Sequence, residues 1–181
     1  MNKIVKLTIV LFLVCAIVAG VLGVVNAFTK DRIEEQNRIK TEKAYAAVLA
    51  SDNGYTEVSF DKTAFPTVDS INECNNGAGW VVTTTFSGAQ GSITMAVGVD
   101  TDYKCTGISI ISHSETSGLG AVAASTSKAG MDFRAQFVGQ DEAVALTKAG
   151  GEINAITGAT ITSKSVTEAT SVAIKAAESL G

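Results

Sequence analysis

Trp80-Val81-Val82-Thr83-Thr84-Thr85-Phe86 and Ser92-Ile93-Thr94-Met95-Ala96-Val97-Gly98-Val99 flank the short linker Ser87-Gly88-Ala89-Gln90-Gly91. The first run is β-branched and aromatic, which suits a pleated strand. The second alternates, with Ile93, Met95, Val97 and Val99 on one face, as a half-buried strand does. A glycine-rich linker between two such runs predicts an antiparallel hairpin. Asp100-Thr101-Asp102 reads as the next tight turn and 104–112 as the returning strand, which extends the hairpin into a meander. Working outward, 55–76 reads as irregular and polar, and 121–150 as short helices around Phe133 and Ala143. The end of the chain is the clearest helix: Val166, Ala169, Ala173, Ala177 and Leu180 fall at helical spacing. Ser165 and Glu168 have capping-box spacing, which predicts a start near 163–165.

Upstream, Leu7 to Phe28 is a run of 22 residues without a charge. As a helix it is about 33 Å long, enough to cross a hydrocarbon core. A cleaved signal peptide is the rival reading, with Val25-Asn26-Ala27 as a small-residue cleavage site. The run exceeds the roughly 7–15 apolar residues of a typical signal core, which favours a retained anchor. Lys3 and Lys6 precede the run, whereas Lys30, Arg32, Arg38, Lys40 and Lys43 follow it. Taken literally that count puts the following domain inside, but long domains translocate largely regardless of charge. Residues 31–50 read as a helix continuing from the anchor, ended by Asp52-Asn53-Gly54. The organisation expected is an anchor at 1–28, a helical stalk at 29–54 and one α+β domain at 55–181, its antiparallel sheet flanked by helices.

The chain has 181 residues, 46% of them hydrophobic, with a net charge of −4. It lacks the basic clusters that a nucleic-acid partner requires. Three cysteines and one histidine are too few for a disulfide scaffold, an iron–sulfur cluster or a multi-histidine metal site. Cys74 and Cys105 are the cysteines outside the anchor; they read as free and buried, with a disulfide as the alternative in an extracytoplasmic domain.

Two short segments carry chemistry. Thr157-Gly158-Ala159-Thr160-Ile161-Thr162-Ser163 precedes the last helix. Unpaired amides and the positive dipole end suit a phosphate there, and Gly158 and Ala159 permit close approach. By itself this is also what a Thr/Ser-rich cap looks like. His113-Ser114-Glu115-Thr116-Ser117-Gly118-Leu119-Gly120 follows a strand, and its glycines allow tight turns. Alone it also reads as a plain strand-ending loop.

Together they carry a resemblance. TGATITS resembles the covalent flavin attachment motif S/T-G-A-T-x-x-S/T, and HSETSGLG resembles the loop H-x-E-T-P-G-L-G of the same family. GWVVTTTF (79–86), the segment 87–110 and FRAQFVGQ (133–140) lie in that family's order. The chain resembles the covalent-FMN subunit, RnfG, of the Rnf complex, an ion-translocating ferredoxin:NAD oxidoreductase. The covalent-FMN subunit of the sodium-translocating NADH:quinone reductase that corresponds to it is a longer relative. The resemblance implies a membrane-anchored FMN-binding domain on the extracytoplasmic face. It implies FMN joined by a phosphoester to Thr160, installed from FAD by a magnesium-dependent flavin transferase. Thr157, Gly158, Ala159 and Ser163 would then shape the phosphate end, where Lys164 could supply charge. Glu115, Thr116, Gly118 and Leu119 would lie near the flavin, Leu119 against the ring. The partners implied are the other integral membrane, iron–sulfur and flavin subunits, and the role is electron relay rather than stand-alone catalysis. Two residues depart from the family pattern: Ser117 stands for its usual proline and Asn154 for a common aspartate. A membrane-anchored flavin sensor, the equivalent quinone-reductase subunit and an anchored domain without flavin are the rival readings.

Overall fold

A computed structural model describes residues 3–180. The backbone divides into two packed units, one ending at Lys40 and the other beginning at Thr41. In the first, the uncharged run lies within one long helix, α1 (Lys3–Val48). Its mean hydropathy reaches 2.9 over an 18-residue window, none of it buried, so it is long and apolar enough to cross a membrane. Past the apolar run the same helix carries surface pairs, Lys30–Glu34 at 3.8 Å and Glu35–Arg38 at 2.8 Å. Spacings of three and four residues place those charges side by side on the helix surface.

In the second unit, strands β1 (Tyr55–Val58), β2 (Val68–Cys74), β3 (Gly79–Ser87), β4 (Ser92–Asp100) and β5 (Cys105–His113) form an antiparallel meander in chain order. β3, β4 and β5 lie where the alternation predicts. Two strands within 55–76 correct the irregular reading of that region. In β2 the residues most buried are Val68, Ile71 and Cys74, three apart rather than two, with Cys74 on the opposite face from the other two. A register shift between Val68 and Ser70 puts Val68 and Ile71 on one face, and this shift together with burial on both faces hides the strand's period.

One sheet face packs on α3 (Thr160–Glu178) and α2 (Lys128–Ala135). Val82 pairs with Ile71 and Val97, and Val97 with Ile108, giving a continuous apolar row across the sheet. Val166, Ala169, Ala173, Ile174 and Ala177 of α3 lie in the same core. Alanines bring this helix close to the sheet without costing helix propensity. α3 starts at Thr160, earlier than the expected 163–165, because Ser163 N–H already donates to Ala159 O at 2.9 Å. Ser165 therefore lies inside the helix, and the Ser165/Glu168 spacing is not a cap. The helix expected around Ala143 is a turn instead: Asp141 accepts from Ala143 N–H with its side chain and from Val144 N–H with its carbonyl.

The opposite face is covered by the end of α1, through Ala44 and Val48 against Cys74, Val81 and Ala96. Tyr45 Oη lies 2.7 Å from Thr83 Oγ1, and its ring meets Tyr55 edge-on with centroids 5.3 Å apart. The helix ends at Val48, two residues before the expected Ala50. Its last carbonyls find donors outside the helix: Thr106 Oγ1–H donates to Val48 O at 2.5 Å and Tyr55 Oη–H to Leu49 O at 2.8 Å. Cys74 and Cys105 are free thiols in the cores on opposite sheet faces, so they do not pair. Burial pushes the Cys105 thiol up to about 12, which keeps it protonated and unreactive.

Gly98 is where the helix end comes closest. A Cβ there would stand 2.7 Å from Val48 O and would overlap Thr106 Oγ1. Gly98→Ala should cost about 1–3 kcal/mol by overpacking, read as a lower urea midpoint of the intact chain in detergent.

Candidate functional site

The sheet delivers three segments to one end. The β3–β4 hairpin turns at 88–91, β5 runs out at His113, and the last loop enters α3 at Thr160. Between them is a cleft of ≈ 370 Å³, lined by Ala89, Gln90, Glu115, Thr116, Leu119, Gly120 and residues 158–162. Both sequence motifs thus meet in one place, although they lie some forty residues apart.

Glu115 is the organising side chain. It is 8% exposed. Its Oε2 accepts from Thr162 Oγ1–H at 2.6 Å and its Oε1 from Gln90 N–H at 3.1 Å. Burial alone would raise its pKa, but hydrogen bonds from Thr162 and the amides of Gln90 and Ala89 outweigh it. His113 adds a smaller favourable effect, and the carboxyl is held below its ordinary range. His113 also positions the residue, its Nδ1 accepting from Glu115 N–H at 3.2 Å. The carboxylate fits because two neighbours have no side chain. A Cβ on Gly120 would overlap Oε2, and one on Gly88 would overlap Oε1. Behind Gly120, Arg134 of α2 donates to Ala123 O and Ser125 O at 2.6 and 2.9 Å, bracing the 120–125 segment.

The loop between Glu115 and Gly120 is a β-turn. Leu119 N–H donates to Thr116 O at 3.3 Å, and Gly118, the third residue, has φ +80°. Positive φ at that position calls for glycine. Ser117 is the second residue, where proline is favoured because it presets φ. The turn that the resembling loop builds with proline therefore forms here without it.

At the start of α3 the hydroxyls divide sharply. Thr162 and Ser163 are buried and engaged: Thr162 donates to Glu115, while Ser163 accepts from Ile156 N–H at 3.0 Å and donates to Ala159 O at 2.9 Å. Thr160 is exposed, and its hydroxyl has no partner among the described residues. Thr157 is also exposed, before the turn in which Gly158 has φ +79°. No side chain caps α3, so the amides of its first turn face outward without intrahelical acceptors. Lys164 pairs with Glu168 at 3.5 Å along the exposed helix face. Asn154 exchanges bonds with Gln136: its backbone N–H donates to Gln136 Oε1 at 2.8 Å and its side-chain amide at 3.1 Å. An aspartate there would lose the second bond. Sequence reasoning missed Thr162, Gly120, Gly88 and Gln90. Thr162 lay within the quoted motif, but its bond to Glu115 spans 47 residues and left no local signal.

Comparison with known proteins identifies the domain. The FMN-binding domain family matches residues 88–175, so this is a flavoprotein fold with FMN as its cofactor. The family described as the RnfG N-terminal region matches residues 1–48. The chain is 33% identical to the G subunit of the Na(+)-translocating ferredoxin:NAD(+) oxidoreductase complex of Acetobacterium woodii, covering 97% of this chain and 92% of that one. It is 30% identical to the G subunit of the ion-translocating oxidoreductase complex of Methanosarcina acetivorans, covering 93% and 91%. The G subunit of the proton-translocating ferredoxin:NAD(+) oxidoreductase complex of Clostridium ljungdahlii is 32% identical, over 96% and 91%. The chain belongs to the RnfG family of Rnf-type complexes, and α1 anchors it in a membrane. The cleft suits FMN chemically. Its volume lies in the range of ligand pockets, Leu119 and Ile161 carry exposed apolar side chains that would meet a ring, and the unpaired α3 amides would suit a phosphate.

Two outcomes follow from this geometry. Thr162→Val leaves Glu115 Oε2 without its donor and should cost about 1–3 kcal/mol. A depressed carboxyl pKa contributes stability that is present above the unfolded value and lost as pH falls through the folded one. The gap between wild type and Thr162→Val should therefore be full at pH 7 and close below the carboxylate range, in urea melts of the intact chain across pH. Ser117→Pro should add about 0.4–1 kcal/mol by restricting the unfolded chain, read in the same melts at pH 7.

Proposed function

We propose that this chain relays electrons in an Rnf-type ferredoxin:NAD oxidoreductase complex, through FMN joined by a phosphoester to Thr160 Oγ1. The observation that carries the reading is the division of hydroxyls at the start of α3. Thr160 combines an exposed, unpartnered hydroxyl with a place in the first turn of the helix, while Thr162 and Ser163 are committed to structural bonds. A flavin transferase acting with FAD and magnesium needs an accessible acceptor, and Thr160 is one. The phosphoester keeps about one negative charge, which the first-turn amides and the helix dipole stabilise. Thr157, Gly158, Ala159 and Ser163 shape that end, with Gly158 giving the turn its positive φ. Glu115, Thr116, Gly118 and Leu119 form the opposite wall, with Leu119 offered to the ring.

FMN exchanges electrons singly, so it supplies relay chemistry between iron–sulfur and flavin centres. The chain's own residues hold that group in place and keep the helix start rigid. The partners are the integral membrane and redox subunits of the complex. The domain lies on the extracytoplasmic face, with 1–28 as anchor, 29–54 as stalk and 55–181 as the flavin domain. The relatives named for ferredoxin and NAD support the complex assigned, and their coverage of both the anchor and the domain supports the organisation.

The test is co-expression of the full chain with a flavin transferase, followed by denaturing electrophoresis. The wild-type band should fluoresce, Thr160→Ala should be dark, and Thr157→Ala should stay bright. A bright Thr160→Ala band would move the attachment elsewhere.

A further inference from the structure

Glu115 has a role in the cleft wall that its structural bonds do not exhaust. It is more than nine-tenths buried, it lines the cleft, and its carboxyl is held in the charged form. No cation forms an ion pair with it among the described residues; its hydrogen-bond partners are dipoles, namely the Thr162 hydroxyl and the amides of Gln90 and Ala89, and the charge interaction with His113 is smaller than these. Hydrogen bonds stabilise a charge without cancelling its field, and around a buried carboxylate that field is screened less than in open water. The carboxylate is also closely confined. Gly88 and Gly120 close on its two oxygens, so it cannot swing away from the cleft without opening both segments. A neutral glutamine could tie together the same segments, its Oε1 accepting from the amides and its N–H₂ donating to the Thr162 hydroxyl, so the ties by themselves do not call for a charge.

We propose that Glu115 is a potential-setting residue: a fixed negative charge on the cleft wall that disfavours adding an electron to FMN bound there. The inference rests on the flavin occupying this cleft. Each electron that enters from an external reductant adds negative charge to the group beside Glu115. The carboxylate opposes that addition by Coulomb repulsion and so lowers the midpoint. The cations bordering the phosphate end, Lys148 and Lys164, lie along a separate groove on the other side of Thr160, and Lys164 is already paired with Glu168. Glu115 is a positioning and electrostatic residue here, with no bond made or broken at it.

The experiment is a dithionite titration of the FMN-loaded full chain in detergent, wild type against Glu115→Gln, with covalent loading read first from the fluorescent band. Removing the charge should raise the midpoint, by about tenfold in the one-electron equilibrium, or about 59 mV. In titrations at pH 8, above the carboxylate range, Thr162→Val loses one bond but keeps the carboxylate ionised, so its midpoint should lie closer to wild type than that of Glu115→Gln even though its stability falls. A purely structural role would move stability in both variants and the midpoint in neither. A loaded Glu115→Gln protein with an unchanged midpoint overturns the proposal. So does a folded Glu115→Gln protein that takes up no flavin, because it would assign Glu115 to attachment instead. If Glu115→Gln unfolds, Thr116→Lys replaces it: this exposed position on the same wall would bring a cation to the cleft, and an unraised midpoint overturns the proposal. A dark wild-type band marks failure of the attachment reading itself, which is a separate outcome.

Discussion

A single buried carboxylate joins the parts of this domain that must meet for a site to exist. Glu115 receives a hydroxyl from the first turn of α3 and amides from the β3–β4 turn, while its own amide is held by His113 at the end of β5. Those segments are distant in sequence and otherwise converge as loops, which are the least constrained parts of a fold. A buried charge tolerates no loss of partners, since each unmade bond leaves it exposed to the desolvation cost. The requirement acts in both directions. The loops are ordered because the carboxylate needs donors, and the carboxylate stays charged because the loops supply them.

The sheet makes this convergence possible by holding two helices at close range. On one face, alanines of α3 let the helix lie on Val82, Val97 and Ile108, and this sets where its first turn projects. On the other, Gly98 and Gly107 face each other across β4 and β5, and the end of α1 settles over them. A methyl group on either surface would move a helix by a fraction of its diameter. At the α3 side that displacement would carry Thr162 away from Glu115, so packing density in the core and geometry at the cleft are one constraint.

What could be read from the sequence follows the range of the interactions involved. Trp80–Phe86 and Ser92–Val99 were legible as strands because alternation is local, and the last helix because Val166, Ala169 and Ala173 recur at helical spacing. β2 was not legible, since its bulge between Val68 and Ser70 breaks the two-residue period that betrays a strand. The start of α3 was misplaced by a capping-box spacing at Ser165 and Glu168 that the helix carries in its interior. The motifs at 113–120 and 157–163 pointed to the site through family resemblance. Residues that work by long-range contact left no trace: Thr162 is one threonine among several until its partner, 47 residues away, is placed beside it.

The division of labour among the hydroxyls of that motif has a physical logic. A threonine that is to carry a cofactor must stay accessible until it is modified, yet the modified residue must then be held without freedom. Thr160 meets the first need by standing exposed at the helix start. The second is met by its neighbours. Ser163 stitches the turn at Ile156 to the helix, and Thr162 locks the helix start to Glu115. A phosphoester on Thr160, as proposed, would share one helix N-terminus with the Glu115 carboxylate, at which a dipole of about half a unit charge is available. One dipole does not neutralise two anions, so the surplus charge remains in the site. In the proposed arrangement that surplus sits in a carboxylate whose hydrogen bonds maintain its ionised form, which would give the cleft an electrostatic character beyond binding.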